Sequence, residues 1–265
     1  MAGVSAAAAR TPFAPNWTAR LLWSALLLYV IYACGILDVS GERFVRGLDN
    51  GAKFLGRMFP PDFSGQKLDL MWVGMVESMQ IAVLATAAGV VLSLPLGLLA
   101  ARNLMPGWVA WTARGVIALC RSFHPVITAI LFVKAVGFGA LAGVLALIVA
   151  SLGFISKLFA EAIEEMSLKQ VEGVRATGAG FFNVLIMGVL PQVNARFIGF
   201  CAYQLDSNLR NSTMVGIVGG GGIGATLFTA YQRFDYDFVL TILLAIIAVI
   251  MVAEVLSAHL RKAFQ

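Results

Sequence analysis

Six stretches of this chain are apolar enough, and long enough, to cross a lipid bilayer, and few folds satisfy that. A hydrocarbon layer about 30 Å thick asks for about 20 mostly apolar residues per helical span. The first stretch, LLWSALLLYVIYACGILDV, runs from Leu21 to Val39. The second runs from Met71 to Ala101, long enough to tilt or protrude, and the third from about Ser122 to Gly137 after an amphipathic lead-in, WVAWTARGVIALCR. The fourth covers Phe138 to Ile155, the fifth Val193 to about Leu209, and the sixth Phe238 to Leu256. The expectation is an all-α polytopic membrane protein.

Composition supports a lipid-facing surface. Only 12% of the 265 residues are charged and 60% are hydrophobic, whereas a soluble domain carries about 25% charged residues. Charge is expensive in hydrocarbon, which accounts for the deficit. The net charge of +5 then reads as Lys and Arg flanking membrane spans rather than as a nucleic-acid surface, since no basic cluster with interleaved aromatics exists. Cys34, Cys120 and Cys201 lie in or beside apolar runs without metal-ligand spacing, so neither a structural disulfide nor a metal site is expected. Arg10 and Arg20 precede the first span in the manner of a signal peptide. It lacks an A-x-A-like cleavage site, however, and is expected to stay as an anchor.

Basic residues orient the spans. With the N-terminus inside, 11 of the 19 Lys and Arg residues fall in cytoplasmic segments, a modest positive-inside bias. The segment from Gly41 to Lys67 carries five of the others and reads as a surface helix followed by the turn FPPDFSG. The expected layout is a cytoplasmic tail over 1–20, a first membrane helix over 21–39, and an extracytoplasmic segment over 40–70. A five-span core over 71–260 and a short cytoplasmic tail over 261–265 complete it.

Chemistry of the enzymatic kind is not visible. His124 and His259 stand far apart with no HExxH pairing, and no G-x-S-x-G elbow is present, so no catalytic residue is expected. The run GGGGIG, Gly219 to Gly224, formally contains G-x-G-x-x-G. A dinucleotide site needs a preceding strand and a later acidic residue, and here membrane spans occupy both places. No Walker lysine follows, so no nucleotide or other cofactor is expected.

One polar stretch interrupts the apolar runs: EGVRATGAGFFNVLIMGVLP, Glu172 to Pro191. Its spacing is similar to the cytoplasmic "EAA" loop of ABC importer permeases, EAA-x3-G-x9-I-x-LP. Glu172, Gly178, Leu190 and Pro191 match, while Gly173 and Val174 replace the alanines and Gly188 the isoleucine. Glu172 is expected to open a short helix, where a carboxylate suits the N-terminal dipole. Gly178 is expected at positive φ, joining two short helices at an angle. Pro191 is expected in the first turn of the fifth span, where its missing N–H costs nothing.

A second segment, LDSNLRNSTMVGIVGGGGIGATL from Leu205 to Leu227, resembles a glycine-rich signature of phosphonate ABC importer permeases. Stretches AARN (100–103), RSFHP (121–125) and KLFAEAIE (157–164) resemble that family too, and the likeness covers roughly Leu68 to Lys262. It implies a type I importer permease core in a bacterial inner membrane, with a cytoplasmic coupling loop at about 158–191. It also implies ATPase subunits inside, a solute-binding protein outside, a second permease subunit as homodimer or close paralogue, and alternating access. Phosphate, phosphite and methionine importers are the neighbouring alternatives. An ion-coupled secondary transporter, which would show inverted repeats and mid-membrane charges, is the alternative from another class.

For the substrate pathway the candidates are Asn208, Arg210, Asn211, Ser212, Thr213, Gly219, Gly221 and Gly222. Arg suits a phosphonate through bidentate hydrogen bonds. Arg210 also lies one turn after Asp206, so a structural salt bridge is the competing reading. The glycine run serves either close helix packing, through the spacings Gly216/Gly220 and Gly220/Gly224, or exposure of backbone amides to a polar pathway. Glu77 is expected at an interface, and Lys134 is expected to snorkel.

Overall fold

The structure, a computed structural model, describes residues 17–37 and 40–264, with side chains described through His259. Arg10, Val39, Gln265 and the side chains of Arg261 and Lys262 lie outside the described residues. The chain divides into two units at Arg57. The first holds α1 (Trp17–Ile36) and nearly all of α2 (Gly41–Met58). Twenty residues give α1 about 30 Å, one hydrocarbon thickness, and none of them is buried. Along α2, Glu42, Arg46, Asp49, Lys53 and Arg57 fall opposite Phe44, Val45, Leu48 and Leu55, and two i,i+4 pairs, Arg46–Glu42 and Lys53–Asp49, lace the charged face.

The second unit is a helix bundle built on α3 (Gly65–Ala100) and α6 (Ala140–Glu164). At 36 residues α3 is about 54 Å long, well over a bilayer. It begins six residues before the expected Met71 because Lys67 is neutralised in place, reaching Asp62 and Asp235 at 2.7 Å each. The Lys67 hydrogen bond, with one from the Ser64 amide, holds the Asp62 carboxyl below its ordinary range. Thr241 ties the same corner by donating to the Asp62 carbonyl at 2.9 Å. Where α3 meets α6 the contacts are small. A Cβ on Gly89 would lie 2.4 Å from Ser151 Cβ, and one on Gly97 would lie 2.8 Å from the Phe159 ring. Helices in lipid gain by such close approach, since burial of apolar surface drives little there.

The expected third span, about Ser122 to Gly137, corresponds to α5 (Pro125–Val136), and its amphipathic lead-in is a helix of its own, α4 (Gly107–Ser122), which α5 meets at 89°. Pro125 disfavours helical backbone at the residue before it, and Phe123 and His124 are extended. Twelve residues give α5 about 18 Å, too short to cross alone. The turn from α5 to α6 uses Gly137 at φ +92° and Gly139 at φ +128°. Helix α6 then continues nine residues beyond the expected Ile155, because its polar end is paired: Lys157 with Glu161 at 3.4 Å, and Glu164 with Arg114 at 2.7 Å.

After α7 (Leu168–Ala176) and the short α8 (Phe181–Val184), one π-helical turn, Leu185–Val189, leads into α9 (Leu190–Val215). A glycine turn follows, then α10 (Ile223–Gln232), which the sequence did not separate from its neighbours, and α11 (Tyr236–Phe264). Among the described residues five helices are long and apolar enough to span, or six with the bent α4–α5 pair.

The close approach of α3 and α6 generates a paired test. Gly89→Val forces methyl groups into Ser151 and is expected to destabilise by about 1–3 kcal/mol. Gly115→Val, on α4 with nothing within 4 Å of an added Cβ, is expected to be neutral. Thermal unfolding of the purified protein in detergent measures both, and equal midpoints would contradict the packing account.

Candidate functional site

Two regions carry the polar chemistry of the bundle. The first is the segment between α6 and α9. Ser167 precedes α7 with extended backbone, and its amide and carbonyl are both held by the side chain of Gln192, at 3.1 and 3.3 Å. Gln192 Nε2 also donates to the Gly188 carbonyl at 2.6 Å. One α9 side chain therefore closes the loop at both ends. Beneath it, Val171, Val184, Val189 and Val193 form an apolar core with Phe159 and Ile163 of α6. Gly188 lets α7 lie close, with an added Cβ 3.4 Å from Val171 Cα.

Of the four residues matched in this loop, Gly178 stands at φ +79°, where L side chains are strained, between α7 and α8. Pro191 occupies the first turn of α9 and is exposed, and Leu190 packs on the apolar core. Glu172 differs from expectation: it is the fifth residue of α7 and exposed, because the helix already starts at Leu168 behind Ser167. Gln192 was missed by the sequence reading, as it lies one residue past the recognisable pattern. The loop also presents exposed apolar side chains, Phe182 at 74% and Met187 at 70% among them. Ion pairs brace its base, Arg196 to Glu165 at 2.8 Å and Arg114 to Glu164 at 2.7 Å, with Arg114 Nε donating to the Ala100 carbonyl.

The second region lies within the bundle. Asn208 is fully buried, donating to Thr86 Oγ1 at 2.9 Å and Ser151 Oγ at 2.8 Å and accepting from Gln204 Nε2 at 2.9 Å. Gln204 donates to Ser151 as well, at 3.0 Å. This cluster pins α9 to α3 and α6. Ser212 is buried too and donates to the Leu209 carbonyl at 2.7 Å. The structure thus places Asn208 and Ser212 among protein partners. Arg210 is more open and pairs with Asp206; the two side chains are 43% and 10% exposed. Asp206 Oδ1 is buried with no hydrogen-bond partner among the described residues. It borders an open apolar cavity of about 360 Å³ between α3, α9 and α11, lined by Met79, Val83, Leu209 and Val252 among others. Asn211 donates to Ser207 at 3.3 Å.

The glycine turn is a close-packing device inside one subunit. Gly219, Gly221 and Gly222 have φ of +99°, +79° and +74°. A Cβ on Gly224 would lie 1.9 Å from the Thr213 carbonyl oxygen, and one on Gly216 would lie 2.4 Å from that of Gly221. The G-x-x-x-G spacings therefore serve a reversal of the chain rather than a straight helix–helix seam. Ser78 accepts from the Ile223 amide at 2.9 Å, and Gly139 N donates to the Gly219 carbonyl at 2.9 Å. Glu77, expected at an interface, lies twelve residues into α3 with its carboxylate against Gly221. Lys134 is exposed in the last turn of α5.

By length and composition the helices make the chain a membrane-spanning bundle. The chain belongs to the family of binding-protein-dependent transport system inner membrane components, whose model matches residues 93–265. It is 39% identical to the phosphite transport system permease protein PtxC of Stutzerimonas stutzeri, over 96% of this chain and 92% of that one. It is also 39% identical to the phosphate-import permease protein PhnE of Mycolicibacterium smegmatis, over 78% of this chain and 39% of that protein. In fold it is similar to a chain of the MetNI methionine ABC transporter in an inward-facing conformation. That match has a TM-score of 0.66 at 21% identity and covers 77% of this chain and all of that one.

The Asp206–Arg210 pair gives a direct stability test. Arg210→Ala leaves a buried carboxylate unpaired and is expected to cost about 1–3 kcal/mol, less than a fully buried pair because Arg210 is partly solvated. Asp206→Asn combined with Arg210→Gln is expected to recover most of that loss in a thermal unfolding assay. A double variant as unstable as the single one would contradict the pairing.

Proposed function

We propose that this chain is the permease subunit of an ATP-driven importer of small phosphorus oxyanions: phosphonate, phosphite or phosphate. The observation that carries the reading is the 39% identity to a phosphite permease across nearly the full length of both chains. A 42% identity to the putative cryptic phosphonate permease PhnE2 of Escherichia coli, over 45% of this chain and 98% of that one, supports the same substrate class. Two copies of the chain, or this chain and a paralogue, enclose the path. ATPase subunits dock inside on the loop from Glu172 to Pro191, and a solute-binding protein delivers the anion outside.

The geometry supports a lever. The exposed apolar side chains of the loop give an ATPase a surface to grip, and Gln192 with the valine core joins that surface to α9. A push on the loop then moves α9, and the cluster of Asn208, Gln204, Ser151 and Thr86 carries the motion to α3 and α6. In this reading Arg210, Asn211 and Thr213 contact the passing anion. Asn208, Ser212, Gly219, Gly221 and Gly222 hold the pathway wall in shape. Arg210 guides the anion transiently, since a site that binds too tightly would trap it.

The test is uptake by the complex of permease, ATPase and binding protein in proteoliposomes. ATP-dependent accumulation of methylphosphonate, phosphite or phosphate is expected. The chain is also 25% identical to a probable D-methionine permease of Pasteurella multocida over 74% of its length. Accumulation of methionine and of none of the oxyanions would overturn the substrate class. The stability-restored double variant at Asp206 and Arg210 is expected to remain slow at limiting oxyanion, and wild-type uptake by it would remove Arg210 from the path.

A further inference from the structure

The break between α4 and α5 lies deep within the bundle. A Cβ on Gly153 of α6 would lie 2.7 Å from Arg121 Cγ and 3.1 Å from Cys120 Cβ. Gly153 is 13 residues from the start of α6 and 11 from its end, about 20 Å and about 16 Å along the axis. Further back along α4, Ala113 and Ile117 pack with Ala100 and Ala160, so α4 runs antiparallel along α6 as it rises. Its exposed tryptophans, Trp108 and Trp111, are 13 and 10 residues before Arg121, about 20 and 15 Å away, at the end where interfacial aromatics belong. Arg121, Ser122, Phe123 and His124 therefore lie beside the apolar stretch of α6, about 6 Å before its charged end begins at Lys157, and all four are exposed on the subunit.

Lipid is an unsuitable neighbour for this segment. Non-helical backbone at membrane depth persists only where protein covers it or where it lines a water-filled cavity. An arginine there is costly unless it faces a partner or a polar path, and Arg121 makes no ion pair among the described residues. His124 Nδ1 accepts from the Val126 amide at 3.3 Å, which leaves the neutral ring with its proton on Nε2, a free donor. The Ser122 hydroxyl is used within α4, donating to the Leu119 carbonyl at 2.7 Å. That leaves a planar guanidinium at the end of α4 and an imidazole N–H just past the break as donors, and both suit an oxyanion.

We propose that the α4–α5 break, with Arg121 and His124, is an oxyanion-contacting station of the translocation pathway, separate in sequence from Arg210. This rests on the importer reading above. The test uses the full complex in proteoliposomes, with Cys34, Cys120 and Cys201 replaced by alanine and His124→Cys added. An anionic, membrane-impermeant thiosulfonate is expected to modify the new cysteine, and saturating methylphosphonate is expected to slow that reaction. Arg121→Gln is expected to lower uptake about tenfold, the scale of one charge-assisted hydrogen bond, while the permease still co-purifies with its ATPase. Arg121→Lys is expected to recover part of the rate.

A cysteine that does not react, or reacts at the same rate with methylphosphonate present, would overturn the station: the break is then covered by lipid or by the second subunit. Ser122→Cys serves the same measurement if His124→Cys fails to assemble. Failure of the unmodified complex to take up methylphosphonate, phosphite or phosphate would instead strike the substrate class on which the proposal rests.

Discussion

Inside a bilayer no solvent is available to satisfy a peptide group or a charge, so every polar atom at that depth must find its partner in protein or line water. The bundle is organised around that requirement. Asn208, Gln204, Ser151 and Thr86 satisfy one another across three helices. Gly89 allows the approach that brings Ser151 within reach, and the glycine turn after α9 finds its partners in Ser78 and Gly139. Small residues and polar residues thus act together, the first setting the distances that the second need. A polar network closed in this way specifies one helix arrangement, because a shift of any member leaves buried groups unpaired.

The same logic supports the proposed lever, in which the bundle moves as a unit when its loop is pushed. The loop between α6 and α9 carries its own apolar core, and Gln192 binds both of its ends. Arg196 and Arg114 fix the neighbouring helix ends through Glu165 and Glu164. A compact knob on a rigid stem transmits displacement; a loose one would absorb it. The ATPase belongs to a separate subunit in this family of transporters, and in the proposed function the chain's own task is mechanical and selective rather than catalytic.

Much of this was legible in the sequence. Hydropathy located the spans, and the spacing from Glu172 to Pro191 located the loop, because both depend on residue type at fixed intervals. The boundary between lead-in and span near Ser122 was legible, but the 89° angle there and a span of only twelve residues were not, since apolar length carries no direction. The inward direction of Asn208 and Ser212 was equally hidden: a polar residue on a membrane helix looks the same whether it faces a path or a neighbouring serine. Gln192 escaped because its importance comes from geometry, two chain ends brought within 3.3 Å of one side chain. The start of α3 is hidden in the sequence by Lys67, whose neutralising aspartates lie up to 168 residues away.

In the proposed function the loop's shape, set by the positive φ at Gly178, couples ATP hydrolysis to α9. Gly178 and Gly173 both have open space around an added Cβ, and of the two only Gly178 sits at φ +79°. Valine at the two positions therefore separates backbone conformation from steric bulk. The decisive measurement is anion taken up per ATP hydrolysed by the reconstituted complex carrying Gly178→Val or Gly173→Val. That ratio is expected to collapse for Gly178→Val and to stay near wild type for Gly173→Val, and an unchanged ratio in the Gly178 variant would contradict the coupling.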